Sequence, residues 1–253
     1  MNQKNIFKTA LLVLIIPLIS GCVTIYNPAT GQKETLLINT EREVSLGANM
    51  DKQIQEELKI LDDLKLKVRL NSIGGRVARI SDRQDLKYNF RVVEDKEFNA
   101  FALPGGFVYI NNGLMEAAND DELACVVAHE VGHIAARHSV KKLQSALGYQ
   151  LILGIALGIS EKQTMGQALD VVFNLVNLGY SRKDEHLADK LSVKYAMKAG
   201  FDPYGMVTFF EKLKAETSSK SSHYKPPVFL SSHPSIDERI ERVKSEITLY
   251  QAQ

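Results

Sequence analysis

The chain of 253 residues has no tryptophan and only two cysteines, Cys22 and Cys125, so no disulfide framework holds it together. Neither sign of charge dominates. Lys and Arg number 31 against 30 Asp and Glu, which removes the electrostatic case for a nucleic-acid partner. With 7 prolines and 16 glycines the composition is not that of a low-complexity or globally disordered chain. Also missing is an unbroken apolar run of about 20 residues, the length a helix needs to span a bilayer. What is present, 45% hydrophobic residues, suffices for one substantial core with a small appendage.

The N-terminus reads as an export signal. Lys4 and Lys8 form a positive start, and Ala10 to Ile19 is a short apolar stretch. A retained membrane anchor is the competing reading, but the stretch is short and Pro17 interrupts it. Ile19-Ser20-Gly21-Cys22 resembles the lipobox of bacterial lipoproteins. That resemblance implies cleavage before Cys22, lipidation of its thiol, and attachment to a membrane through the N-terminal lipid. Val23 in place of an Asp favours the outer membrane, facing the periplasm. With Cys22 acylated, Cys125 has no partner and reads as a small buried hydrophobe.

Three parts are expected: residues 1–21 as signal peptide, 22–38 as a tether ending in a turn or small hairpin, and 39–253 as one domain. Thr40-Glu41-Arg42-Glu43 has the form of a capping box opening a helix to about Leu61. A second helix runs from Asp62 and Asp63 to about Ile80, and Gly74-Gly75 within it predicts a close contact or a break. Tyr88–Val93, Phe98–Leu103 and Phe107–Ile110 read as strands, the last two joined by a turn at Pro104-Gly105-Gly106. Asn119 to Glu122 caps the next helix. Leu147 to Ile159 is apolar but too short to span a membrane, so a buried helix or a flap is expected. Helices from about Lys183 to Ala199, after Asp202-Pro203, and from Ser235 complete a mainly helical α+β pattern with one small sheet.

The helix after Asn119 carries His129-Glu130-Val131-Gly132-His133. Imidazoles four residues apart share a helix face, where their nitrogens can converge on one metal ion. Glu130 sits one position round, able to reach a water without ligating the metal. HExxH on a helix is the signature of zinc-dependent peptide hydrolysis. A hydrolytic zinc site needs a third protein ligand. The HExxHxxGxxH continuation is absent, since Ala136 and Ser139 stand at its Gly and His positions. His138, five residues past His133, is expected to point away from the pair as a capping or surface residue. Glu185 and Asp189 form an ExxxD: one carboxylate for the metal, the other to accept the outer N–H of a ligating histidine. Spacing alone leaves that reading level with an ordinary solvated helix.

Taken together, the HExxH, Tyr180-Ser181-Arg182 with Glu185, Ala188 and Asp189, the run Asn99 to Gly106, and Asn27-Pro28 with Thr30-Gly31 resemble the BepA-like and HtpX-like gluzincin metallopeptidases, lipoprotein members included. The likeness covers most of residues 25–250. It implies a gluzincin fold with Zn²⁺, one per chain, held by His129, His133 and Glu185, with Asp189 bonded to a ligating histidine. It also implies that Asn99, Ala100, Phe101 and Ala102 lie near the cleft, where a strand edge would pair with an extended polypeptide substrate. A buried strand and tight turn is the plainer reading of that run, and both can hold. His233-Pro234 matches a family motif whose histidine approaches zinc, which implies a regulatory or transition-state role for His233, beside a simple helix-entry role. Zinc acidifies a water from a pKa of about 15.7 to around 7, and Glu130 would be its general base. Tyr180, Arg182 and His233 are candidates for the oxyanion donor.

The expected function is therefore a lipid-anchored zinc endopeptidase acting on misfolded or unassembled envelope proteins. The competing reading is a chaperone or adaptor that binds unfolded chains with little turnover. An intact Glu130 weighs against that, and the lack of a fourth His or Cys in the helical pair weighs against a structural zinc. Relatives with a C-terminal helical-repeat domain extend beyond this chain, so a dedicated outer-membrane-assembly role is not expected.

Overall fold

The computed structural model describes residues 23–159, 166–167, 170, 180–218 and 236–252. Cys22 and His233 lie outside the described residues. The chain opens with an antiparallel hairpin, β1 (Val23–Asn27) and β2 (Gln32–Leu36), turned by Gly31 at φ 67°. Leu36 and Ile38 are buried, and Glu34 pairs with Lys141. Helices α1 (Thr40–Glu57) and α2 (Leu64–Ala78) follow, then β3 (Asn89–Val93), β4 (Ala100–Leu103) and β5 (Phe107–Asn111). After a short α3 (Asn112–Ala117) come α4 (Asp120–Ala135), α5 (His138–Ala156), α6 (Arg182–Lys198), α7 (Gly205–Ser218) and α8 (Ile236–Gln251). The expected mainly helical α+β class holds.

The three-stranded sheet has order β3-β5-β4, with β3 parallel and β4 antiparallel to β5. Its two-residue alternation divides the interior. Ala100, Ala102, Val108 and Ile110 face a core built with α2, α4, α6, α7 and α8. Phe101, Leu103, Phe107 and Tyr109 face a second core with α1, Ile38, Val140, Leu143 and Ile155. Phe101 and Tyr109, directly paired across the strands, stack at 4.7 Å. A sheet buried on both faces explains why β4 and β5 are apolar at every position but Asn111.

Gly74 is a close contact and not a break. A Cβ there would stand 2.6 Å from the Phe90 ring, so its absence lets α2 lie against β3. The α1 start is a correction. Asn39, not Thr40, is the N-cap, its side chain accepting from the Arg42 N–H. Glu43 is therefore free of capping and turns inward, where Arg83 and Arg137 donate to it. The apolar 147–159 stretch resolves into the end of α5, with Ile152 and Ile155 buried and Gly148 at φ 73° breaking the helix. Among the described residues no helix is long and apolar enough to cross a membrane.

Candidate active site

Helix α4 carries the histidine pair through the middle of the larger core. Asn119 and Glu122 close a reciprocal capping box at its start, with Asp120 and Asp121 in the positive first turn. Residues Leu123 to Val127 bury on all sides, so the helix is fixed along its length before it reaches His129. Gly132 lets α6 approach: a Cβ there would meet the Ala188 carbonyl oxygen and the Leu191 Cβ at 3.2 Å.

That approach brings Glu185 to the pair. The two Nε2 atoms lie 3.0 Å apart, and the Glu185 oxygens stand 3.5 Å from each. His129, His133 and Glu185 are buried, with one donor atom from each within 4.8 Å of the others. Two imidazole nitrogens and a carboxylate converging in a buried pocket suit Zn²⁺, a borderline-soft ion that takes N and O donors. Glu130 and Asp189 are buried in the same cluster, where Arg239 pairs with Asp189 and approaches Glu185.

The outer nitrogens are held too. His129 Nδ1 lies 3.0 Å from Asp189 Oδ1, one turn beyond Glu185 on α6. Burial opposes a charge on His129, but its bonds to Asp189 and Glu185 lift it to about 9. Burial would raise Asp189, and the Arg239 charge overrides this to hold it down at about 2. Burial pushes Glu130 up to about 7, with the His129 and Arg239 charges opposing the rise and the Glu185 charge reinforcing it.

The structure places other sequence candidates less uniformly. The Tyr180 ring stacks on His133 at 4.0 Å, while its hydroxyl pairs with Ser139 Oγ at 2.8 Å. Arg182 is exposed at the start of α6. Edge strand β4 packs on α4, with Ala100 and Ala102 facing it and Phe101 facing the opposite core. The Asn99 side-chain oxygen is buried with no hydrogen-bond partner among the described residues. Ala102 O accepts from Ser139 Oγ at 3.3 Å. Cys125 is buried away from the ligands, its thiol facing the Asp202 carbonyl oxygen at 3.5 Å.

His138 is a correction. Along a continuous helix it would lie about 140° round from His133. The helix instead ends, and Arg137 takes a left-handed φ of 56°, held by Glu43 and Thr40. This folds His138 back until its Nδ1 is 2.8 Å from His133 Nδ1. Burial and the neighbouring His133 hold it down to about 3.

Arg239 was missed by sequence reasoning. It donates to both oxygens of Asp189 at 2.8 and 2.5 Å, approaches Glu185 Oε2 at 3.4 Å, and lies over the Phe210 ring. A signal existed. Ile236, Ile240, Val243 and Ile247 form the apolar stripe of α8, and Arg239 interrupts it three residues after the first.

Comparison with known proteins agrees with this geometry. The family model described as Peptidase family M48 matches residues 65–247. The beta-barrel assembly-enhancing protease of Escherichia coli is 26% identical over 253 residues, covering 94% of this chain and 51% of its own. Metalloprotease LoiP of Escherichia coli is 32% identical over 164 residues, 63% of each chain. Metalloprotease YcaL of the same organism is 28% identical over 164 residues, 63% of this chain and 62% of its own. The chain spans about half the length of the beta-barrel assembly-enhancing proteases it matches.

Proposed function

The chain belongs to peptidase family M48, and from that premise we propose that it is a zinc-dependent endopeptidase whose metal is held by His129, His133 and Glu185. The observation that carries this is the convergence of those three buried side chains on one point, with Glu130 beside them. Bound zinc would supply Lewis acidity toward a peptide carbonyl and toward water. Glu130 takes the water's proton at its carboxylate and returns it to the departing amine. Asp189 orients His129 through Nδ1, and Arg239 keeps Asp189 ionised for that bond. The β4 edge offers backbone groups to an extended substrate, an arrangement that selects for unfolded segments over particular sequences.

Misfolded or unassembled envelope polypeptides are the proposed substrates, in keeping with a relative named for enhancing beta-barrel assembly. Attachment through a lipidated Cys22 rests on the Ile19–Cys22 run, and placement on the periplasmic side of the outer membrane rests on Val23. The Tyr180 hydroxyl, turned toward Ser139, would have to swing inward to serve an oxyanion.

Casein cleavage and metal content, measured for the chain from Val23 and its Glu130→Gln variant, test the reading. Both proteins should carry zinc, with cleavage by the variant lower by about 10²–10⁴-fold. Equal rates would reject Glu130 as the base. A zinc-loaded but inert wild type would favour a chaperone.

A further inference from the structure

Each metal-facing imidazole has a differently built support behind it. Behind His129 stands a carboxylate, Asp189. Behind His133 stands a second imidazole, His138, buried and only 2.8 Å away, Nδ1 to Nδ1. Beyond it, His138 Nε2 lies 3.4 Å from Asp184 Oδ1, in the first turn of α6. Asp184 is itself fixed by Ser181, whose hydroxyl donates to Asp184 Oδ2 at 2.6 Å.

We infer that His138 is a positioning residue that sets the tautomer of His133, with Asp184 setting that of His138. This rests on His133 acting as a metal ligand, as proposed above.

A neutral imidazole carries one N–H and one lone pair. Two ring nitrogens at 2.8 Å need one proton between them, since two lone pairs or two N–H groups would repel. Two arrangements satisfy this. In one, His133 Nδ1–H donates to His138 Nδ1, leaving His133 Nε2 bare toward Glu185 and His129. In the other, His138 donates and His133 carries its proton on Nε2, aimed into the pocket, where it blocks ligation. The Asp184 carboxylate only accepts, so it favours a proton on His138 Nε2. That leaves His138 Nδ1 bare and selects the first arrangement.

The geometry has a further consequence for ligand strength. An imidazole nitrogen accepts less strongly than a carboxylate, so His133 gains less basicity from its support than His129 does. His138 reaches this position only through the left-handed turn at Arg137.

The test compares wild type with His138→Phe, His138→Asn and Asp184→Ala in the chain from Val23. Zinc affinity is read by chelator competition, and the Co²⁺ absorption spectrum reports ligand geometry. Thermal unfolding of the metal-free proteins checks folding. His138→Phe should bind zinc 10–100-fold more weakly, with an altered Co²⁺ spectrum. His138→Asn, whose amide oxygen can accept from His133 Nδ1–H, should recover most of that affinity. A merely structural role for His138 would not predict this rescue. Asp184→Ala, at a partly exposed position, should give a smaller loss and serves if His138→Phe does not fold.

Wild-type affinity and spectrum in both His138→Phe and Asp184→Ala would overturn the inference, as would a His138→Asn protein no better than His138→Phe. A wild type that binds neither metal would instead reject the proposed site, and this inference with it.

Discussion

Glu43 and Glu185 are equally hidden, at 1% and 2% exposure, yet their surroundings are opposite in kind. Glu43 is met by two guanidinia, Arg83 and Arg137, with Asp85 sharing Arg83 from a more exposed position. Those two acids and two bases balance without help. Glu185 instead faces the Nε2 atoms of His129 and His133, with Arg239 behind it and Asp189 on the outer nitrogen of His129. The first cluster is closed by ion pairs, whereas the second brings one donor atom from each of three side chains within 4.8 Å of the others. Glu130 beside it is lifted to about 7, chiefly by burial.

Removing the metal should sharpen this contrast most. Chelation of zinc from the wild type should lower stability by about 4 kcal/mol relative to a thousandfold zinc excess over Kd, read as a fall in Tm. A Tm indifferent to zinc would erase the distinction between the clusters. Arg83→Met should cost about 3 kcal/mol in urea unfolding, because it breaks a buried pair and leaves Glu43 to Arg137 alone. Zinc affinity should not change in that variant, and an equal fall in it would mean the clusters are coupled. Gly132→Ala should cost about 1 kcal/mol, by pressing a methyl on the Ala188 carbonyl. It should also weaken zinc binding, since Glu185 rides on the displaced α6. Unchanged affinity would show that the helix spacing does not set the donor distances.

Much of the scaffold was legible because its signals are local. The Asn119–Glu122 box, the His129/His133 spacing and the glycine stop at Gly200 each depend on neighbours within a turn or two. The apolar run of β5 and the tight turn at Gly105 and Gly106 belong to the same class. Glu185 and Asp189 were visible as a spaced pair, but their spacing fits a solvated helix as well.

The errors share one physical origin. Asn39 and Thr40 are both good capping residues, and the choice was made by the distant Asp85 and Arg137, which engage the Thr40 hydroxyl. No local signal marks the fold-back of His138, since a non-glycine residue at positive φ is rare and Arg137 is held there by Glu43, 94 residues away in sequence. Arg239 lies 110 residues from the imidazole it supports through Asp189.

The sequence by itself determined the α+β class, the helix that bears the pair, and which residue types were available for chemistry. Periodicity and capping act over a few residues, so they can be read along the chain. Only the tertiary structure decided which buried charges cancel each other, which nitrogen faces inward, and how near Glu185 comes to the two imidazoles. Those are distances between groups far apart in sequence, set by helix packing, and no local pattern encodes them.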